Sequence, residues 1–307
     1  MNIPRDHHYL PQFYLERWAN DGRVFRYVRP QGPDGALHGK WKAPKAIAYE
    51  RDLYHLPDVS DPAESQHLEL KFFQKIDDQA AVALRKLDHS HHGSAEDRVA
   101  LSRFMVSLLH RSPSRLSAIR SELAERIDDA PFRDLTGEEL ERGIKATANR
   151  LLEMLVKSAD AQSVVSKFKT YKIDVSKSSR ALLTSDRPIT LSAQLVASDA
   201  FMIMPYAPDW LVILTHLEAI AHAFASQDAT TLVTGINQAV VEQSVDVVIA
   251  TDERATAMVD RLFLRPQPNR VLDSIGLIRR RSPYTDLRPR VREFSRHDKR
   301  KMRYLGS

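Results

Sequence analysis

The chain opens on a dense polar and aromatic segment. Residues 7–18, HHYLPQFYLERW, put two histidines and four aromatic rings into twelve positions. Imidazole titrates near neutrality, so it can serve as general base, metal ligand or phosphate contact. Neighbouring side chains of an extended segment point to opposite faces, so His7 and His8 do not act as a pair on one ligand. Tyr9 and Tyr14 each offer a hydroxyl and a stacking surface, and Trp18 a further ring. The competing reading is an aromatic plug that anchors the N-terminus and keeps a histidine hydrogen-bonded in the core.

Three more residues stand where charge is expensive. Glu69 shares a helical face with Phe73, Ile76 and Ala80, at spacings of four, seven and eleven. A carboxylate on an apolar face needs a partner or a use, unless it sits at the edge of the stripe. Arg111 follows Phe104 and Leu108 by seven and three residues and leans toward the same buried side. A buried guanidinium needs a carboxylate or a phosphate, and Glu69 and Asp186 are the candidates. Asp186 lies in Ser185-Asp186-Arg187-Pro188, just after an apolar strand, where loop residues often carry function. It can hold a metal, orient a histidine or activate water, or it can cap a turn. Asn237 either orders a loop or binds a polar substrate group. His89, His91 and His92 read as an exposed helix end. No glycine-rich phosphate loop, GxSxG elbow, HExxH helix or Rossmann fingerprint occurs, which argues against nucleotide-driven, serine-hydrolase and zincin chemistry.

The elements that must position these residues follow from periodicity. Asn20-Asp21-Gly22 signals a turn before a strand at Val24–Val28, and a second short strand is expected within 52–56. Asp61-Pro62-Ala63-Glu64 starts a helix: Asp caps, Pro suits the first position and Glu64 completes the capping box. Its stripe is Leu68, Phe72, Ile76, Ala80, Leu84 and Leu87. Ser94 starts a second helix, a third covers about 114–128, and Thr136-Gly137-Glu138-Glu139 opens a fourth running toward Phe168. Apolar strands follow at 172–175, 201–205, 210–214 and 245–250, with helices at 228–243 and 253–262. Strands at both ends and helices in the middle predict an α+β fold. Its sheet is mostly antiparallel, built from N- and C-terminal segments, with a central helical layer inserted at about 61–170. Residues 1–278 form one domain in this reading, and 279–307 a basic C-terminal tail.

Composition sets outer bounds. The 307 residues are 43% hydrophobic and 28% charged, enough to bury a sizeable core. No apolar run is long enough to span a membrane and the N-terminus lacks an apolar signal core, so a cytoplasmic protein is expected. Without cysteine, disulfides, thiolate chemistry and Cys-type zinc sites are excluded. The net charge of +5 is concentrated: residues 279–303 carry eleven Lys or Arg against three acidic residues, whereas 1–278 hold 34 basic and 37 acidic ones. Such a tail either binds a phosphate backbone by counterion release or merely solubilises the chain.

Several of these blocks in this order resemble the bacterial domain-of-unknown-function 4238 (DUF4238) family: His7-His8-Tyr9-Leu10-Pro11-Gln12-Phe13-Tyr14-Leu15, Asp52-Leu53-Tyr54, the helix carrying Glu69, Arg111-Ser112-Pro113, Thr184-Ser185-Asp186-Arg187-Pro188, Met204-Pro205 and Asn237. Arg187 stands where Asn is expected, and Met204-Pro205-Tyr206 where a Pro-Leu-Ser-type segment is expected. The resemblance implies a fold and a site, not an activity. The site it implies uses His8, His7, Glu69 and Asp186 for catalysis, and Tyr9, Gln12, Tyr14, Arg111, Ser185 and Asn237 for substrate binding. The expected function is a nucleic-acid hydrolase, of nuclease or DNA-glycosylase type. In it Arg111 holds a phosphate, aromatic rings stack on a base and the tail tracks the backbone. No cofactor is identified; a divalent metal on Asp186 and Glu69 is one option. Phage defence is one context for such an enzyme. The alternative is a non-catalytic module that binds nucleic acid or protein around a structural polar cluster.

Overall fold

Short-range turn chemistry and long-range strand pairing divide the work of the fold. The computed structural model describes residues 4–89, 94–125, 136–158, 167–192, 197, 199–264 and 302–304. At the N-terminus, β1 (Asp6–His8) leads into α1 (Gln12–Leu15) and a 3-10 turn at Glu16–Trp18. Asp21 and Gly22 both take positive φ, at 48° and 72°, and make the tight turn before β2 (Val24–Val28). β3 (His38–Lys42) and β4 (Tyr49–Arg51) follow. No strand forms at 52–56, because Asp52 adopts a left-handed φ of 55° and ends β4.

The helical layer comprises α2 (Gln74–Asp88), α3 (Ala95–His110), α4 (Pro113–Ala124) and α5 (Gly137–Lys157). Asp61 caps as expected, accepting from the Ala63 and Glu64 N–H groups at 2.9 and 2.8 Å, and Ser94 forms a full capping box with Asp97. Thr136 makes no side-chain cap, and α5 ends at Lys157, short of Phe168. Before α2, residues Leu68–Phe73 wind as a π-helix. That one widened turn corrects the expected stripe: Phe73 is buried and Phe72 only partly so, because the step from Leu68 is five residues and not four.

The second half adds β5 (Lys169–Asp174), β6 (Thr184–Ser185), β7 (Thr190–Leu191), β8 (Phe201–Ala207), β9 (Trp210–Thr215), α6 (Glu218–Ala225), α7 (Ala229–Gln243), β10 (Val248–Ala250), a 3-10 turn at Glu253–Ala255, α8 (Thr256–Leu262) and β11 (Met302–Tyr304). Among the described residues all pairings are antiparallel, in three sheets: β1-β4, β3-β2-β10-β6 and β11-β5-β9-β8-β7. The fold is therefore α+β, and β2 beside β10 joins the two ends of the chain. The basic segment does not stay wholly apart, since Met302–Tyr304 pairs with β5; residues 265–301 lie outside the described residues, as do His91 and His92.

β8 is buried along its whole length because its sheet is covered on both faces. Met202, Met204, Tyr206, Val212 and Leu214 face the helical layer and the N-terminal segment, in one core with Tyr14, Phe104 and Leu152. Phe201, Ile203, Leu211 and Ile213 face the other way onto Phe224 and Ile236 of α6 and α7. Among the described residues, no helix is long and apolar enough to cross a membrane.

Candidate functional site

The strand alternation of β1 separates the two histidines. His7 is fully buried; His8 is half-buried on the other side and lies 5.4 Å, ring to ring, from the exposed Tyr49 of β4. His7 stacks on Tyr54 at 5.6 Å, and its Nδ1 accepts the Tyr54 N–H at 3.0 Å. Nδ1 is therefore unprotonated and occupied. Burial lowers the pKa of His7, with the Pro4 backbone and Asp52 pulling the other way. His7 acts as an anchor in this arrangement. The Nε2 of His8, like that of His7, is buried with no hydrogen-bond partner. The pKa of His8 is lowered by burial and by Arg111, while the Lys45 backbone raises it.

Arg111 closes α3 as its C-cap and is fully buried. Nε donates to the Tyr9 carbonyl at 2.8 Å, and Nη1 to Asp77 Oδ1 at 2.8 Å. The guanidinium lies over the rings of Phe73 and Phe104, at 5.5 and 5.9 Å. Its backbone carbonyl accepts the Tyr54 hydroxyl at 2.7 Å, which ties the His7 layer to the helices. Burial works against the charge of Arg111, but Asp77, Tyr54 and Glu69 together raise its pKa. For Asp77 burial prevails and the pKa rises, although Arg111 opposes it. Arg111 Nη2 is buried without a partner. A guanidinium so enclosed is a fixed charge within the protein, which corrects the expectation that Arg111 grips a phosphate.

Glu69 sits in the π-helical turn. Its pKa is raised from 4.5 to about 7, chiefly by burial; Arg111 lowers it and Asp77 raises it. Oε2 is buried without a partner. Asp77 was not anticipated from the sequence. Eight residues of regular α-helix leave two side chains roughly 80° apart. The wider π-turn advances each residue less, so Glu69 and Asp77 swing toward the same arginine. The adjacent pair Phe72-Phe73 was the only sign of an ambiguous register. Glu69, His8 and Arg111, with His7 through its Nε2, thus each have a buried polar atom without a hydrogen-bond partner, as do other residues elsewhere in the fold.

The other candidates hold backbone. Asp186 is buried; Oδ1 accepts from the N–H groups of Val245, Asp246 and Val247 at 3.1, 3.2 and 3.2 Å. Burial raises its pKa, with Arg187 and those N–H groups opposing. This carboxylate fixes the turn between α7 and β10 and has little capacity left for a metal or for water. Ser185 Oγ donates to the Val240 carbonyl at 3.3 Å. Asn237 bridges the Leu183 N–H and the Ala181 carbonyl, both at 2.8 Å. Tyr14 is fully buried and bonded to Thr184 and Pro205, and Trp18 donates to the Leu182 carbonyl, so neither ring is placed to stack on a base. Tyr9 is nearly buried, and Gln12 is exposed at the start of α1. Ala48, at a left-handed φ of 54°, accepts the Tyr9 N–H at 2.9 Å. Asp186→Asn would face an amide toward these N–H donors and lower stability by about 1–3 kcal/mol. Urea unfolding measures this, and an unchanged midpoint would refute the pinning role.

His110, on the last turn of α3, was also not anticipated. Its Nδ1 is buried without a partner, and its pKa falls from 6.5 to about 4 through burial and then Arg115. Between pH 6.5 and 4 the unfolded chain binds a proton here that the folded chain does not. This group therefore removes stability as pH falls through that window, by up to about 3 kcal/mol. His110→Gln should reduce that loss, so the urea midpoints of variant and parent should move apart between pH 7.5 and 4.5.

A separate cavity of about 440 Å³ lies between α2 and α3, lined by Gln79, Val82, Glu96, Val99 and Arg103 among others, and by none of the candidate residues. Among the described residues no group of three His, Asp or Glu is arranged to hold a metal ion. A family model described as "Protein of unknown function (DUF4238)" matches residues 6–254. No curated protein and no solved structure matches the chain.

Proposed function

The chain belongs to the DUF4238 family, and from the arrangement around Glu69 we propose that it is a hydrolase acting on nucleic acid by acid–base catalysis. The observation that carries this is a carboxyl group with a pKa of about 7 and a buried, unsatisfied oxygen, in a π-helical turn beside a fixed cation. Such a group is half protonated at neutral pH and can act in either direction. In base excision the Glu69 proton passes to the departing base as the C1′–N bond breaks. Water then adds to C1′ and returns a proton to the carboxylate. His8 Nε2 is the second polar group for substrate or water, and Tyr49, 41% exposed beside it, supplies a ring for stacking. Arg111 and Asp77 set the charge that Glu69 feels. The excision branch is preferred to metal-assisted cleavage because Asp186, the expected second metal ligand, already accepts three backbone N–H groups. Attraction to a polyanion is supported by the basic segment 279–303.

One set of observations favours a non-catalytic binding module: His7, Tyr14, Ser185, Asp186 and Asn237 all serve the backbone. The test is incubation of the full chain with labelled single- and double-stranded DNA and RNA, with and without EDTA. Strand cleavage and alkali-labile base loss are both scored. Base loss insensitive to EDTA is the expected result. EDTA-sensitive cleavage would favour the metal branch, and binding without product would favour the binding module.

A further inference from the structure

The junction of α3 and α4 brings two guanidiniums, Arg115 and Arg187, close enough to feel each other's charge. Ser112 caps α4, its Oγ accepting the Arg115 N–H at 3.4 Å and lying 3.1 Å from Ser114 Oγ. Arg187, from the loop after β6, reaches across and donates from Nη2 to Ser114 Oγ at 3.0 Å. Its main chain is held at both ends: its N–H donates to Ser185 Oγ, and its carbonyl accepts from Gln243 Nε2. The guanidinium is thus delivered to the start of α4 by a fixed loop.

Arg115 is half-buried in the same place. Burial and the charge of Arg187 together pull its pKa down to about 10, while Asp186 and Glu122 oppose. Among the described residues neither Arg115 nor Arg187 forms an ion pair. The Nε of each is buried and without a hydrogen-bond partner. Asp186, the nearest candidate counter-charge, has turned toward the 245–247 backbone. His110, another ionisable neighbour of Arg115, is kept neutral and adds no further positive charge.

Two adjacent guanidiniums with unsatisfied N–H groups are favourable when a shared anion completes them. A tetrahedral oxyanion matches their planar forks and accepts a hydroxyl hydrogen bond as well. The positive end of the α4 dipole adds to the attraction. We infer that Ser114, Arg115 and Arg187 form a binding site for an oxyanion of the phosphate class, free or carried on a larger molecule. The site shares no residue with the proposed chemistry at Glu69 and stands or falls without it.

The test is calorimetric titration of the full chain with sodium phosphate, against sodium chloride at equal ionic strength, and then with thymidine 5′-phosphate and thymidine. Phosphate should bind and raise the melting temperature. Arg187→Gln should weaken binding at least about tenfold, and Arg187→Lys should fall between, because it keeps the charge but loses the fork. Thymidine 5′-phosphate binding more tightly than phosphate, with thymidine silent, identifies a carried phosphate; equal or weaker binding identifies the free ion. Arg115→Gln should behave like Arg187→Gln. Should it fail to fold, the two Arg187 variants, checked by circular dichroism, carry the test. A parent protein that shows neither heat nor stabilisation up to about 50 mM phosphate, a hundredfold excess over a half-millimolar site, would overturn the inference. So would an Arg187→Gln protein that binds as the parent does.

Discussion

Glu69→Gln should abolish turnover and, above pH 7, make the protein more stable. The carboxyl of Glu69 has a pKa of about 7 in the fold against 4.5 ordinarily. Between those values the folded chain holds a proton that the unfolded chain has lost. The group's contribution is therefore intact below pH 4.5 and is lost as pH rises through 7, at a cost of up to about 3 kcal/mol. Glutamine keeps the shape of the neutral acid and cannot ionise. The variant and parent should melt alike near pH 4.5. At pH 8 the variant should melt higher by roughly 6–12 °C, given about 2–4 °C per kcal/mol for a domain of this size. Loss of general acid–base catalysis costs about 10²–10⁴ in rate. Activity lost together with stability gained separates a working carboxylate from a merely structural one. Retained turnover, or a lower melting temperature at pH 8, would reject the role.

The second large effect is at Arg111, and it runs the other way. Arg111→Met leaves Asp77 and the Tyr9 carbonyl without their donor inside the core, and leaves Glu69 without its cation. Breaking a buried pair from one side costs about 3–5 kcal/mol, a large part of the 5–15 kcal/mol typical of a domain. Arg111→Lys should cost less, since an ammonium keeps the charge but not the fork that serves Tyr9 and Asp77 together. Combined with Asp77→Asn, it gives a double-mutant cycle whose coupling energy measures the pair in urea unfolding. In any Arg111 variant that folds with its cation displaced, Glu69 should titrate higher, and the pH profile of turnover should move up with it. An unshifted profile would leave Arg111 a packing residue only.

How much of this was legible in the sequence depends on the range of the interaction. Caps and turns are local, so Asp61, Ser94 and Asp21-Gly22 could be read directly. The alternation in β1 correctly separated His7 from His8. The closeness of Arg111 to Glu69 followed from helical faces, but its true ion-pair partner, Asp77, did not, because a π-turn leaves no compositional mark. Asp186 was legible as a polar residue in a special place. Its three N–H donors lie about sixty residues onward, and no local pattern encodes them. Arg187 was seen only as a departure from an expected Asn, and its meeting with Ser114 spans 73 positions.

The pairing of β2 with β10, together with the bond from Tyr14 to the Pro205 carbonyl 191 residues away, also has a consequence in time. The N-terminal segment emerges first during synthesis, yet the strand that completes its sheet lies some 220 positions later. At about 5–20 residues per second, a ribosome needs some tens of seconds to supply it. Through that interval β2 and Tyr14 wait without their distant partners, although β1 can pair with β4 at once. Pairings of such high contact order also close slowly. A growing chain should therefore carry an unfinished N-terminal sheet and core until β10 has emerged, and ribosome-bound chains halted before residue 248 should resist protease less well around residues 14–28 than released chains do.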